Sequence, residues 1–338
     1  MARHAIITGG AGFIGSHLVD RLLNEGAWQV TVIDNFHPFY PRAIKEANIR
    51  DHLRNPAFRL IEGSIVDDGA LEAAFEDVVG KNTTVVHLAA LAGVRPSIAD
   101  PVAYHAVNVT GTLKMLEMAR ANMVAHFILA SSSSVYGENP NVPWKENLPD
   151  LYPISPYAAT KLAAEQFTRV YARLHELNTT VLRFFTVYGP RQRPDLAIHS
   201  FFRKIQEGTP IQQFGDGGTR RDYTFVDDII SGVRGAMDRS LVREEGQGAF
   251  DIFNLGNSAT VALGELIAAI EKEVGKKANI EVRPEQPGDV PQTFANVEKA
   301  RQHFNYVPAM DISHGLQRFH QWYTDMEKAH RAVHTPGD

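Results

Sequence analysis

Thr8-Gly9-Gly10-Ala11-Gly12-Phe13-Ile14-Gly15-Ser16-His17 is the stretch on which the reading of this 338-residue chain turns. The apolar residues 5–7 before it suit a buried strand, and residues 15–25 after it repeat apolar side chains as a helix does. At the joint, Gly9 permits a tight turn, Gly12 lets a pyrophosphate approach the backbone, and Gly15 lets helix and strand pack closely. The free N–H groups of the helix start, with Phe13 and Ile14 on the same turn, then face the phosphates. A second apolar run ends at Asp34, 19 residues after Gly15, placed for the adenosine ribose hydroxyls. A carboxylate there repels a 2′-phosphate, which selects NAD over NADP. Asn35 beside it brings no arginine, although Arg42 lies further along. The plainer alternative, a Gly-rich turn and a solvated acid, fits less well with the strand–turn–helix setting.

Outward from this point, short apolar runs alternate with amphipathic stretches. Residues 5–7, 30–33, 58–62, 84–88, 126–130 and 180–185 read as strands, and 15–25, 68–79, 108–122 and 157–174 as helices. This alternation predicts a Rossmann-type, doubly wound parallel α/β sheet over residues 1–185. After Val187 the pattern is broken by Pro190, Pro194, Pro210 and the Gly215-Asp216-Gly217-Gly218 turn. Residues 186–330 therefore read as a smaller α/β substrate domain. Within it the segment near 222–257 returns to the sheet, with a strand at 251–255 and a helix at 263–274. Residues 331–338 read as a frayed tail.

Composition removes several functions. The 34 Lys and Arg against 39 Asp and Glu give a net charge of -5, which excludes a polybasic nucleic-acid or membrane-surface protein. With no cysteine there is no disulfide framework, cysteine zinc site, iron–sulfur cluster or thiol nucleophile. The fourteen histidines show no metal spacing, and His87 at a strand end reads as core. No apolar run reaches the ~18 residues of a membrane span. The first strand begins at once, leaving no room for a signal peptide. A cytoplasmic protein is expected, in which the sequons at Asn82, Asn108 and Asn178 carry no glycan.

The chemistry gathers elsewhere. Tyr157 and Lys161, in Ser155-Pro156-Tyr157-Ala158-Ala159-Thr160-Lys161, lie four apart and so share one helical face. Alone this is a common surface pair. Ala130-Ser131-Ser132-Ser133-Ser134-Val135-Tyr136-Gly137, however, ends the fifth strand, where ligands of such sheets bind. Tyr157 as base, Lys161 as its electrostatic partner and Ser132 as hydrogen-bond shuttle suit hydride and proton transfer at one carbinol. A free phenol titrates near ~10. A cation ~4 Å away at an effective dielectric of ~20 contributes about 4 kcal/mol, so Lys161 together with oxidised nicotinamide is expected to bring it toward ~7.

The Gly-x-x-Gly-x-x-Gly turn, with Ser132 and then Tyr-x-x-x-Lys 25 residues on, resembles the extended short-chain dehydrogenase/reductase family across nearly the whole chain. The branch implied is that of nucleotide-sugar epimerases and dehydratases. Such proteins bind NAD, hold a nucleoside-diphosphate sugar in the C-terminal domain and often dimerise through a four-helix bundle, here from the Asn108 and Tyr157 helices. The resemblance implies further cofactor contacts at Ser64, Ile65, Leu88, Ala89, Ala90 and Asn108. Ser64 stands where many relatives have an Asp for the adenine amine, which weakens that contact.

Ser134 occupies a position where related dehydratases and decarboxylases carry an acid, so epimerisation is favoured. Thr186 stands where galactose-type 4-epimerases have Asn. Arg191-Gln192-Arg193-Pro194-Asp195 and Gln286-Pro287-Gly288-Asp289-Val290 resemble the uronate type, whose substrates are UDP-glucuronate and UDP-galacturonate. The resemblance implies a sugar carboxylate held by Ser132, Ser133, Ser134 and Thr186, with Asp289 nearby, and a diphosphate on Arg193 and Arg221. Each of those arginines has a surface ion pair as its alternative. Phe214 reads either as a uracil contact or as core, and Arg95 as a substrate contact or a loop cap. A neutral UDP-hexose 4-epimerase, a UDP-glucuronate decarboxylase and a non-enzymatic NAD sensor remain as rivals.

Overall fold

The computed structural model describes residues 3–76, 78, 80–239, 241–242, 244–284 and 290–334. From the N-terminus the chain runs β1 (Arg3–Thr8), α1 (Phe13–Glu25), β2 (Trp28–Asp34), α2 (Arg42–Ile49), β3 (Phe58–Glu62), α3 (Asp68–Phe75) and β4 (Thr83–His87). There follow α4 (Val94–Ala99), α5 (Pro101–His105), α6 (Gly111–Ala121), β5 (His126–Ser132), α7 (Pro156–His175) and β6 (Thr179–Phe184). The next stretch comprises β7 (Thr186–Tyr188), α8 (Ala197–Glu207), β8 (Ile211–Phe214), β9 (Arg220–Arg221), β10 (Tyr223–Phe225), α9 (Val226–Asp238) and β11 (Phe250–Leu255). The chain closes with β12 (Val261–Ala262), α10 (Leu263–Val274), β13 (Ile280–Arg283), α11 (Glu298–Phe304) and α12 (Ile312–His334).

Seven parallel strands form the central sheet in the order β11-β6-β5-β4-β1-β2-β3. Every residue of β4, β5 and β6 is buried, as strands covered by helices on both faces must be. This is the doubly wound α/β sheet expected from the sequence, and β11 is the return strand, paired to β6 from Phe250 against Thr179 onward. The strand order reverses between β1 and β4, and ligands of such sheets bind at that switch point.

The local boundaries differ in three instructive places. The helix expected from Asn108 begins instead with a π-helical turn, Ala106–Thr110, before α6. The strand expected over 180–185 divides at Phe185, whose N–H donates to the Leu255 carbonyl, so β7 leaves the sheet to pair with β10. At the C-terminus, α12 continues to His334, through part of the expected tail, because Leu316, Phe319 and Tyr323 give it a buried face.

One buried carboxylate, Asp222 between β9 and β10, ties that segment to the chain after β11 and to Ala295. Asp222 Oδ1 accepts from Asn257 N at 2.7 Å and Thr224 Oγ1 at 3.1 Å, while Oδ2 accepts from Ser258 N and Ala295 N, both at 3.1 Å. Asp222→Asn replaces one acceptor by a donor and leaves a buried N–H without a partner whichever way the amide turns. We expect a loss of about 2–4 kcal/mol, seen as a lower urea midpoint at unchanged slope. A midpoint equal to wild type would contradict the role given to Asp222.

Candidate active site

The glycine turn has the geometry its sequence demands. Gly9 sits at φ 72° and its N–H donates to Ile33 O at 2.7 Å, tying the turn to β2. A Cβ on Gly15 would lie 2.2 Å from Gly9 O, so α1 approaches the turn more closely than any side chain permits. Gly12 caps α1 without a side-chain bond, which leaves N–H groups at the helix start open to a ligand. At the end of β2, the buried Asp34 accepts from Ala11 N at 3.1 Å through Oδ2 and from Phe36 N at 2.9 Å through Oδ1. Two acceptor oxygens held in this way keep further lone pairs for hydroxyl donors.

A cleft of about 540 Å³ runs from this turn to Tyr157 and Lys161. Of the residues expected at the cofactor, Gly9, Gly12, Phe13, Ile14, Gly15, Asp34, Asn35, Ser64, Ile65, Leu88, Ala89 and Ala90 line it. Asn108 does not. Its amide braces the loop after β4, accepting from Leu91 N at 2.8 Å and donating to Leu91 O at 2.9 Å and Thr160 Oγ1 at 3.1 Å. The shape, the Cβ-free turn and the buried acid fit an extended dinucleotide.

At the other end, Ser155 caps α7 through Ala158 N and sets the helix so that Tyr157 and Lys161 point into the cleft. Lys161 Nζ donates to Ala130 O at 2.9 Å, and burial lowers its pKa to about 8, opposed by the Glu165 charge. Burial pushes the Tyr157 phenol above its ordinary value, while a hydrogen bond with Ser132 and the Arg193 charge pull it down. The sequence-based expectation that Lys161 together with oxidised nicotinamide brings Tyr157 toward ~7 concerns the loaded site; in the chain without cofactor, desolvation wins. The Tyr157 ring meets Tyr104 edge-on at 6.3 Å.

The serines share one tight turn, of which Ser131 lines the cleft while Ser132, Ser133 and Ser134 lie outside the lining. Ser132 Oγ accepts from Ser134 N at 3.2 Å and donates to Ser134 Oγ at 3.1 Å, while Ser133 is buried. Thr186, Arg193 and Arg221 line the cleft, and Arg193 also pairs with Asp195 at 2.8 Å and lies over the Phe39 ring. Arg95 and Phe214 lie outside the lining but meet each other, guanidinium over ring at 4.5 Å. Asp289 and Gln286 fall outside the described residues.

Some lining residues escaped the sequence reading. Lys45 Nζ donates to His37 O at 3.0 Å and sits over the Tyr40 ring, and Gln192 holds Val187 O and His199 N. Gln192 stands in the Arg191–Asp195 motif, but the place of either residue at the cleft is not legible locally, because α2 and the 189–196 loop reach the cleft only by folding. Among the described lining residues Asp34 is the only carboxylate, against Lys45, Lys161, Arg193 and Arg221. The cleft is thus built for an anionic ligand, with Tyr157 and its Ser132 hydrogen bond at the end remote from Asp34.

Sheet, turn and Ser–Tyr–Lys group together define an extended short-chain dehydrogenase/reductase. Residues 6–319 match the family described as GDP-mannose 4,6 dehydratase, and the chain belongs to it. The chain is 36% identical over 342 residues to a probable UDP-glucuronate 4-epimerase of Rhizobium meliloti, covering 98% of each. It superimposes with a TM-score of 0.88 on the UDP-glucuronic acid 4-epimerase of Bacillus cereus, solved with UDP-glucuronic acid and NAD, at 35% identity over 96% of this chain and 99% of that one. The Thermotoga maritima UDP-glucose 4-epimerase, solved with UDP-glucose, gives 0.85 at 31% identity, with the same shares covered.

Proposed function

We propose that this chain is an NAD-dependent 4-epimerase that interconverts UDP-glucuronate and UDP-galacturonate. The observation that carries the choice of reaction is the cleft at its Tyr157 end: Lys161, Thr186 and Arg193 line it, Ser132 bonds Tyr157, and among the described lining residues no carboxylate is there to serve dehydration. The greater likeness to uronate-type relatives carries the choice of sugar.

Bound NAD supplies the hydride acceptor and donor at C4. Tyr157 Oη takes the proton from the C4 hydroxyl, with Ser132 donating to the sugar oxygen and Lys161 offsetting the phenolate charge. After the 4-keto sugar turns over, the same Tyr157 returns the proton as hydride reaches the other face. Ser132, Ser133, Ser134 and Thr186 hold the sugar carboxylate, and charged hydrogen bonds of ~1.5–3 kcal/mol each are enough to set its orientation. Held out of line with the C4 carbonyl π system, the β-keto acid keeps its carbon dioxide. Arg193 and Arg221 take the diphosphate with their planar forks. In this reading residues 1–185, with the return segment, hold NAD, and 186–330 hold the nucleotide sugar.

The test is turnover of UDP-glucuronate without added NAD, with the product read by proton NMR. UDP-galacturonate is expected, and the reverse reaction from it. Activity confined to UDP-glucose and UDP-galactose overturns the sugar assignment, and a UDP-pentose overturns the reaction.

We propose also that the enzyme works in the cytosol as a homodimer; no described helix is long and apolar enough to cross a membrane. Phe167, Val170 and Leu174 (67% exposed) form an outward apolar stripe on α7, and Val102 (77% exposed) of α5 is also exposed. The bundle thus draws its exposed apolar side chains from α5 and α7, for α6 has no large one. Val170→Glu with Leu174→Glu should halve the mass seen by sedimentation. A wild-type chain that sediments as a monomer at micromolar concentration would refute the dimer.

A further inference from the structure

Beneath the reacting groups lies an ion pair that the mechanism above does not use. Glu165 and Arg183 are 0% and 1% exposed. Arg183 Nη2 donates to Glu165 Oε2 at 2.7 Å and its Nε to Oε1 at 3.0 Å, and Ser131 Oγ donates to the same Oε1 at 2.5 Å. The guanidinium also lies over the Tyr136 ring at 4.8 Å, and Tyr136 Oη donates to Asn254 Oδ1 at 2.7 Å. One carboxylate therefore joins α7, the end of β5, β6 and the turn after β5.

Each joined segment carries a functional group close by in sequence. Lys161 precedes Glu165 by one helical turn, Ser132 follows Ser131, and Thr186 lies three residues beyond Arg183. A buried ion pair is a poor device for stability, since apolar side chains of like volume often do as well. Its directional, bidentate geometry is what apolar packing cannot supply.

We propose that Glu165, paired with Arg183 and Ser131, is a positioning residue that sets Ser132 and Lys161 against Tyr157. The inference rests on the epimerase reading. Two effects follow from the geometry. Without the bond from Ser131, the end of β5 is free to shift, and Ser132 with it. Without the carboxylate, Lys161 loses the one charge that favours its protonated form. The other titratable groups facing Lys161 are Tyr157 on the same helix and His87 of β4, held neutral by burial at a pKa of about 3.

The experiment compares kcat, KM and the pH profile of wild type with Ser131→Ala, Glu165→Gln and the double variant Glu165→Leu with Arg183→Met. The wild-type profile should fall as pH rises through about 8, where Lys161 loses its proton. Both Glu165 variants should lower kcat at least tenfold, with KM within about threefold, and move that alkaline limb down by about one pH unit. Ser131→Ala should lower kcat by a smaller factor with the limb unmoved. Glu165→Gln leaves a buried guanidinium without its counter-charge and is exposed to misfolding. The double variant removes both charges together and keeps the test decisive. A folded double variant with wild-type kcat and an unmoved limb overturns the proposal while leaving the epimerase reading intact. A wild-type chain inactive on every UDP-sugar overturns both.

Discussion

Tyr157→Phe should bind NAD and UDP-sugar almost as wild type does and yet epimerise at least about 10³-fold more slowly. The substitution keeps the ring that meets Tyr104 edge-on and removes only the hydroxyl. Ser132 retains its bonds to Ser134, so no buried donor is stranded by the change. What is lost is the group proposed to take and return the C4 proton, and positioned general acid–base groups contribute 10²–10⁴-fold. Among the described lining residues no second group stands in reserve there: Lys161 is committed to the Ala130 carbonyl, and the only carboxylate, Asp34, lies at the far end. The check is kcat beside the absorbance of enzyme-bound NADH after mixing with UDP-glucuronate. The variant should show neither product nor a reduced cofactor signal. More than a tenth of wild-type turnover would remove Tyr157 from the mechanism.

Gly15→Ala should be the most damaging methyl group that can be added to the cofactor turn. Its Cβ would meet Gly9 O at 2.2 Å and Gly10 Cα at 2.8 Å. Both are backbone atoms, so no rotamer relieves the clash and α1 must move away from β1. Overpacking typically costs ~1–3 kcal/mol, and a site that cannot repack lies at the upper end. The start of α1 carries the N–H groups offered to the pyrophosphate, so the shift falls directly on cofactor binding. NAD affinity should drop at least tenfold, about 1.4 kcal/mol. The control is Gly26→Ala, at the other end of the same helix. A Cβ there meets nothing within 4 Å, and φ 69° imposes only the modest strain of a left-handed cap. If both variants retained NAD equally, close packing at Gly15 would not be what shapes the site.

These two residues mark what was legible before folding. The glycine turn could be read because a strand, a tight turn and a helix start are local objects, each dictated by residues within one decapeptide. Tyr157 and Lys161 were legible for the same reason, since a spacing of four fixes a common helical face. The seven-stranded sheet followed from strand–helix alternation, down to the return strand at 250–255. The bracing role of Asn108 was not legible, because its partners, Leu91 and Thr160, lie 17 and 52 residues away.

By itself, then, the sequence determined the fold class, the cofactor turn and the candidate reacting side chains. All of these rest on short-range periodicity and backbone sterics. Tertiary structure alone decided the charge states and the supports. Burial raises the Tyr157 phenol and brings Lys161 to about 8, and burial is a property of everything packed around a group. The Glu165–Arg183 pair, the Asp222 anchor and the Arg95–Phe214 contact join residues 18 to 119 positions apart. Such partners are invisible to any window of sequence, because a directional bond between distant residues exists only once the sheet has brought them within reach.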